Sequence, residues 1–111
     1  MHEMSITRNI VAIVGEHAGP RRVTRVRLEV GALTAVVPEA LLFCFDVATK
    51  GTVLEGAVLE IVTVPGRAVC MECGEESGID GLLARCACGS RRLTRVSGEE
   101  LNVKDMEVEA A

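Results

Sequence analysis

The first thirty residues pass from a helical to a strand-like pattern of apolar and polar positions. Ser5 can cap a helix, and helical spacing follows at Ile6, Ile10, Ile13 and Val14. The stretch 15–20 (Gly-Glu-His-Ala-Gly-Pro) carries the signals that end a helix. From Val23 the period becomes two, since Val26, Leu28 and Val30 alternate with Arg25, Arg27 and Glu29. The pattern therefore predicts a helix and then a half-buried strand.

The middle of the chain repeats this order of helix and strand. Pro38 suits the first turn of a second helix, which we expect to run to Lys50 because Gly51 follows. The apolar face of that helix would consist of Leu41, Cys44, Phe45 and Ala48. Alternation at Leu59, Ile61 and Thr63 predicts a second strand that stops at Pro65-Gly66.

A closing strand is indicated after the turn at Ser97-Gly98. Its apolar positions are Leu101, Val103, Met106 and Val108. A single strand at this point has little to pair with unless it returns to the first sheet. We therefore predict an α+β fold: a βααβ-like body of two helices on a small sheet, with another module inserted before the last strand.

Four of the five cysteines form that module, in the sequence Cys70-x-x-Cys73 … Cys86-x-Cys88. Two close pairs can converge on one tetrahedral ion, and structural zinc sites are closed sets of four such ligands. Gly74 and Gly89 each follow a pair and let the chain turn back towards the thiolates. This spacing predicts a structural zinc site. The second pair is one residue shorter than usual, so its turn must be tighter.

Other interpretations of these cysteines remain open at this point. Disulfides need an oxidising compartment, and the N-terminus does not resemble a secretory signal. A redox Cys-x-x-Cys pair normally lies in a βαβ setting, which the pattern around Cys70 does not predict. An iron site is a further alternative. Cys44 is interpreted as a small core residue of the second helix.

Composition restricts the classes of function. The net charge of −4 and the presence of only two aromatic residues, Phe43 and Phe45, argue against a nucleic-acid-binding protein. No apolar run approaches the ~20 residues of a membrane span, so we expect no membrane contact. The N-terminus lacks the basic region and the apolar stretch of a signal peptide, so we expect a cytoplasmic protein. We expect a body formed by residues 1–66 plus 96–111 and a zinc domain formed by 67–95.

A four-cysteine cage has no open position for catalysis, which argues against an enzyme.

The first residues, Met1-His2-Glu3-Met4, form a second candidate metal site. Met1 is expected to be kept because His is a bulky second residue. The terminal amine, the amide nitrogen of His2 and its imidazole can form fused chelate rings, and such a nitrogen-rich set favours Ni²⁺ or Cu²⁺. Glu3 could add an oxygen. A frayed terminal histidine is the plainer interpretation of His2 alone, and His17 is interpreted as a solvated loop residue.

Several stretches together resemble the HypA/HybF family of hydrogenase maturation nickel metallochaperones. The opening Met-His-Glu-Met-Ser is similar to the start of that family, and so are the segments 26–33, 38–41 and 51–57. The first cysteine pair and the Cys88-Gly89-Ser90 end of the second also match. The resemblance runs through nearly the whole chain in order.

The resemblance implies roles for individual residues. His2 would be the nickel ligand, acting with the terminal amine of Met1 and a backbone nitrogen, and Glu3 would assist. Cys70, Cys73 and Cys88 would hold a structural zinc. The family usually places its third zinc ligand where this chain has Arg85, so we expect Cys86 to substitute, with a weaker site as the alternative.

The resemblance also implies partners. The family passes nickel to the large subunit of [NiFe]-hydrogenase together with a nickel-handling GTPase, and some members serve urease. Separately from the resemblance, the short connections would allow a homodimer that exchanges the first strand or the zinc module. A zinc-ribbon protein-interaction module without a nickel role is the alternative function.

Overall fold

The computed structural model describes residues 2–110, which form two helices and two three-stranded sheets. The elements in chain order are α1 (Glu3–Ala18), β1 (Val23–Gly31), α2 (Pro38–Ala48), β2 (Val58–Val64), β3 (Arg67–Cys70), β4 (Glu76–Gly78), β5 (Leu93–Ser97) and β6 (Leu101–Val108). The α+β class and the cysteine module inserted before the last strand are confirmed. The order βααβ is wrong, because α1 precedes the first strand and β1 separates the two helices.

The described chain divides into two compact units. Residues 2–28, 35–62 and 102–110 form a helical unit, and residues 29–34 and 63–101 form a cysteine unit. In the sheet β2-β1-β6 the C-terminal strand lies beside the first strand, as the sequence predicted. Within residues 2–110 no helix is both long and apolar enough to cross a membrane.

The helical unit is built around the packing of α1 on α2. Its most deeply buried side chains are aliphatic except for Phe45 and the polar Thr7; the aliphatic ones are Val14, Val23, Val26, Leu28, Leu41 and Leu54. The alternate side of β1 is polar and paired. Arg27 donates two hydrogen bonds to Asp105, of 2.8 and 2.6 Å, and Arg25 forms an ion pair of 3.0 Å with Glu60. The alternation along β1 therefore separates a core face from an ion-paired face.

Helix α1 continues past the point where the sequence predicted its end. Gly15 lies inside the helix, and the helix stops only at Ala18, where Gly19 (φ 62°) donates its N–H to the carbonyl of Gly15. The predicted loop position of His17 is therefore wrong, since it occupies the last helical turn, although its side chain is exposed. A glycine costs a helix about 1 kcal/mol relative to alanine, which packing readily outweighs.

The cysteine unit is centred on β3, which pairs antiparallel with β4 and β5. Two glycines allow the backbone to approach itself closely here. A Cβ atom on Gly31 would lie 1.9 Å from the carbonyl oxygen of Gly98, and Gly98 itself has φ 110°. Hydrogen bonds of 2.8 Å from Leu33 to Gly98 and 2.7 Å from Gly31 to Glu100 hold this crossing together. The three short strands of this unit were not predicted from the sequence.

Candidate metal centres

The four cysteines of the module converge in space as their spacing predicted. All four Sγ atoms lie within 4.8 Å of one another. The closest pairs are Cys73 with Cys86 at 3.5 Å and Cys70 with Cys88 at 3.7 Å. A tetrahedral ion with Zn–S bonds of about 2.3 Å separates its sulfurs by about 3.8 Å. The residues present therefore fit zinc in both donor type and spacing.

The first cysteine pair forms a turn that directs amides at sulfur. Strand β3 ends at Cys70, whose N–H donates to Glu75 and whose carbonyl accepts the N–H of Gly74 (2.9 Å each). Gly74 has φ 77°, which favours glycine. The amides of Glu72 and Cys73 both donate to Cys70 Sγ at 3.4 Å. We call residues 70–75 the first knuckle.

The second pair forms the same kind of turn with one residue fewer. Cys86 donates its N–H to Ser90 and accepts the N–H of Gly89, both at 2.8 Å. These bonds span four and three residues, whereas those of the first knuckle span five and four. Gly89, with φ 93°, takes the place of Gly74. We call residues 86–90 the second knuckle.

The thiols of the metal-free cluster differ in acidity. The amides of Cys73 and Glu72 lower the pKa of Cys70 to about 6. The Glu75 amide lowers the pKa of Cys73, but its thiol neighbours Cys86 and Cys70 raise it further, to about 12. The pKa of Cys88 is also raised, because Cys86 and Cys70 outweigh the amide of Ser90. Cys70 is thus a thiolate ready for a cation at neutral pH, while a metal must displace the protons of Cys73 and Cys88.

Burial divides the same four side chains into two kinds. Cys70 and Cys86 are buried, at 1 % and 6 % exposure, and Cys73 and Cys88 are exposed. Cys44 is half-buried on α2 and does not belong to the cluster, which agrees with its interpretation as part of the helix packing.

The second candidate site lies at the start of α1. His2 occupies the position before the first helical turn, its side chain is exposed, and its carbonyl accepts the N–H of Ile6 at 3.2 Å. Within residues 2–110 its imidazole has no hydrogen bond or ion pair. Met1, the third predicted nickel ligand, lies outside the described residues.

Glu3 has a structural contact that the sequence did not reveal. Its Oε2 accepts the N–H of Val37 at 3.2 Å, and Val37 is the N-cap residue that directly precedes α2. Its own backbone N–H and that of Val37 together lower the pKa of Glu3 below the usual carboxyl value. The carboxylate therefore satisfies one of the backbone N–H groups at the start of α2 that have no acceptor within the helix.

The chain matches, over residues 1–108, the family described as "Hydrogenase/urease nickel incorporation, metallochaperone, hypA". It belongs to the HypA family. Two bacterial hydrogenase maturation factors HypA are similar to this chain over nearly its whole length. The protein of Trichormus variabilis is 53 % identical over 109 residues, spanning 98 % of this chain and 96 % of its own. That of Geobacter metallireducens is 53 % identical over 110 residues, spanning 98 % and 100 %.

Solved HypA structures share the fold. The solution structure of the Ni metallochaperone HypA from Helicobacter pylori has a TM-score of 0.72 at 23 % identity, with both chains covered completely. A second HypA solution structure has a TM-score of 0.73 at 24 % identity and covers 100 % of this chain and 98 % of its own. The resemblance stated from the sequence is therefore confirmed for both family and fold.

The HypA fold brings the four cysteines together but also contains details that reasoning from the sequence missed. The contact of Glu3 with Val37 leaves no local signal, because the two residues are thirty-four positions apart. The shortened second knuckle was visible as the missing residue between Cys86 and Cys88. Its consequence for the sulfur environment required the backbone geometry.

Proposed function

We propose that this HypA-family chain binds Ni²⁺ at its N-terminus and hands it on during maturation of [NiFe]-hydrogenase, while its four cysteines hold a structural zinc. One observation carries the nickel assignment: the exposed imidazole of His2, without a partner in residues 2–110, stands at the start of α1 in a member of a nickel-incorporation family. The zinc assignment rests on four sulfurs at the spacing of a tetrahedral ion.

The nitrogen atoms around His2 suit nickel chemically. The terminal amine of Met1, the amide of His2 once deprotonated and the imidazole form two fused chelate rings, and such a nitrogen set favours Ni²⁺ over Mg²⁺. The helix uses the carbonyl of His2, as its bond to Ile6 demonstrates. The N–H groups at a helix start have no intrahelical acceptor, so the amide of His2 is available to the metal.

We assign Glu3 a supporting role in nickel binding. Its carboxylate carries a negative charge and lies one residue from the chelating nitrogens. One of its oxygens contacts Val37, which limits the positions the carboxylate can take. Glu3 thus adds charge near the cation and, through its free oxygen, an additional ligand during transfer.

The two metals have different duties in this proposal. Zinc in a closed set of four thiolates contributes to the folding of the cysteine unit and leaves slowly. Nickel at a chain terminus has few protein ligands and an open edge, so a partner's ligands can replace them one at a time. We infer from the family that this partner is the [NiFe]-hydrogenase large subunit or the nickel-handling GTPase, with urease as a second client. We expect transfer in the cytoplasm, without catalysis by this chain.

The test is a nickel titration of zinc-loaded protein with its native N-terminus. A variant with one extra N-terminal residue keeps His2 but moves the amine. His2→Ala removes the imidazole, and His17→Ala is the matched control, because His17 is the other histidine of the chain and is also exposed. We expect one nickel per chain for the native protein and for His17→Ala, and much weaker binding for the other two.

The pH dependence adds a second criterion. Each nitrogen ligand must lose its proton before it binds, so nickel affinity must fall steeply between about pH 7.5 and pH 6. Equal binding by the native and extended proteins would place nickel elsewhere. No nickel binding by any of them would leave a zinc-ribbon interaction module.

A further inference from the structure

The two knuckles do not support their sulfurs equally. In the first knuckle, Cys70 Sγ accepts the amides of Glu72 and Cys73, both at 3.4 Å. In the second knuckle, no amide of residues 2–110 donates to Cys86 Sγ, which lies 3.5 Å from the sulfur of Cys73.

The missing residue of the second knuckle explains this difference. The first knuckle has two residues between its cysteines, so the amides two and three positions after Cys70 turn inwards to its sulfur. In the second knuckle the Gly89 amide already closes the turn on the carbonyl of Cys86, three residues back. The amide three positions after Cys86 is therefore engaged elsewhere, and the amide of Cys88, two positions after it, makes no hydrogen bond to the sulfur.

Burial makes the absence of donors important. Cys73 and Cys88 are exposed, so water can solvate their sulfurs, and Cys70 is buried but has two amide donors. Cys86 alone is both buried, at 6 % exposure, and without an amide donor. A buried charge without hydrogen bonds is the most costly of these arrangements. Hydrogen bonds around metal ligands typically change metal affinity by about ten- to a hundredfold.

We propose that Cys86 is the weakest zinc ligand of this chain, so that zinc exchange begins by opening the second knuckle. This proposal rests on the proposed zinc site. When the site opens, the bond between zinc and Cys86 Sγ breaks, the sulfur takes up a proton from solvent, and a donor atom of the incoming chelator occupies the vacant position. The other three thiolates leave in later steps.

The decisive variant restores the length of the second knuckle without changing the number of thiols. Arg85→Cys combined with Cys86→Ala moves the thiol back by one position and gives the second pair the spacing of the first. Arg85→Ala alone is the matched control for the lost guanidinium. Zinc-loaded proteins are mixed with excess chromophoric chelator, and the rate of zinc release is recorded. The absorption spectrum of the Co²⁺-substituted protein verifies that four thiolates bind.

We expect the double variant to release zinc at least about tenfold more slowly than the native chain and the control variant. Single substitutions provide an independent measure if the double variant does not fold. Cys86→Ser should raise the release rate less than Cys73→Ser, because it removes the ligand with the least support.

Each result decides between distinct conclusions. Equal release rates for the double variant and the native chain, with four thiolates bound in both, would overturn the proposal. Equal effects of Cys86→Ser and Cys73→Ser would do the same. A native chain that binds no zinc would overturn the zinc assignment itself, which the Co²⁺ spectrum distinguishes from a mere change in rate.

Discussion

The two phenylalanines of α2 offer a sharp test of the helical unit. Phe45 is 1 % exposed, whereas Phe43, two residues earlier on the same helix, is 69 % exposed. Phe45→Ala and Phe43→Ala remove the same atoms and change helix propensity by the same amount. Any difference between the two variants therefore measures the packing around Phe45.

The expected magnitude follows from this burial. Removing a fully buried phenylalanine ring costs about 3 to 5 kcal/mol, as lost transfer free energy and as the cavity left behind. Removing an exposed ring changes stability by no more than about 0.5 kcal/mol. A slope of about 2 kcal/mol per molar urea converts the first figure into a midpoint shift of about 1.5 to 2.5 M. That cost is a large fraction of the total stability of an ordinary domain, about 5 to 15 kcal/mol.

Urea unfolding of zinc-loaded protein, followed by far-ultraviolet circular dichroism, is the suitable assay. Both helices belong to the helical unit, so the helical signal reports that unit. A midpoint shift below about 0.5 M for Phe45→Ala, or equal shifts for the two variants, would refute the packing described for α2.

Three further outcomes are expected. Glu3→Gln keeps an oxygen for the N–H of Val37 but loses the charge, so the nickel affinity measured by titration should fall while the helix content measured by circular dichroism is retained. Glu3→Ala should lower both the nickel affinity and the helix content. Gly31→Ala should destabilise the cysteine unit in thermal unfolding, because its Cβ would lie 1.9 Å from a backbone oxygen of Gly98. In metal-free protein, thiolate absorbance should show a first titration near pH 6 that Cys70→Ser removes.

The same pKa gives the direction of the pH effect on stability. The folded pKa of Cys70 lies below the ordinary thiol value of 9.0, so its thiolate stabilises the metal-free fold fully above that value. This contribution is lost as the pH falls through about 6.

Each of these three predictions has a control or a result that would contradict it. Gly15→Ala is the control for Gly31→Ala, since its Cβ would meet Leu54 at an ordinary 3.7 Å and should be neutral or stabilising. Equal melting temperatures of the two alanine variants would contradict the close crossing at Gly31. Unchanged nickel affinity in Glu3→Gln would remove the carboxylate from the nickel site, and a first titration near pH 9 would contradict the amide bonds to Cys70.

Local patterns predicted the elements whose side chains alternate between core and solvent. The period of two along β1 and the helical spacing in α1 and α2 result directly from burial on one face, so they could be predicted from the sequence alone. The residue at which α1 ends could not be predicted in this way, because a glycine at position 15 favours a break, whereas tertiary packing continues the helix to Ala18. Strands β3, β4 and β5 are three to five residues long, too short for periodicity to identify.

The candidate metal site was likewise predictable from the sequence only in part. Cysteine spacing was sufficient to predict that four sulfurs converge, because each close pair fixes two ligands locally. The contact between Glu3 and Val37 could not be predicted, since it depends on how α1 packs against α2. The amides that reach Cys70 and miss Cys86 depend on backbone direction within a turn, which residue identity alone does not specify.

The place of β6 in the sheet has a consequence for how the protein is made. The amide of Glu109 donates to the carbonyl of Arg22 at 2.9 Å, and Thr24 donates to the carbonyl of Glu107, eighty-three residues away. The sheet of the helical unit therefore cannot close on the ribosome until the last strand has emerged. At about 5 to 20 residues per second, the end of that strand follows Cys88, the last of the four cysteines, by about 1 to 4 s. The order of synthesis thus places all four cysteines in the chain before the strand that completes the sheet of the helical unit.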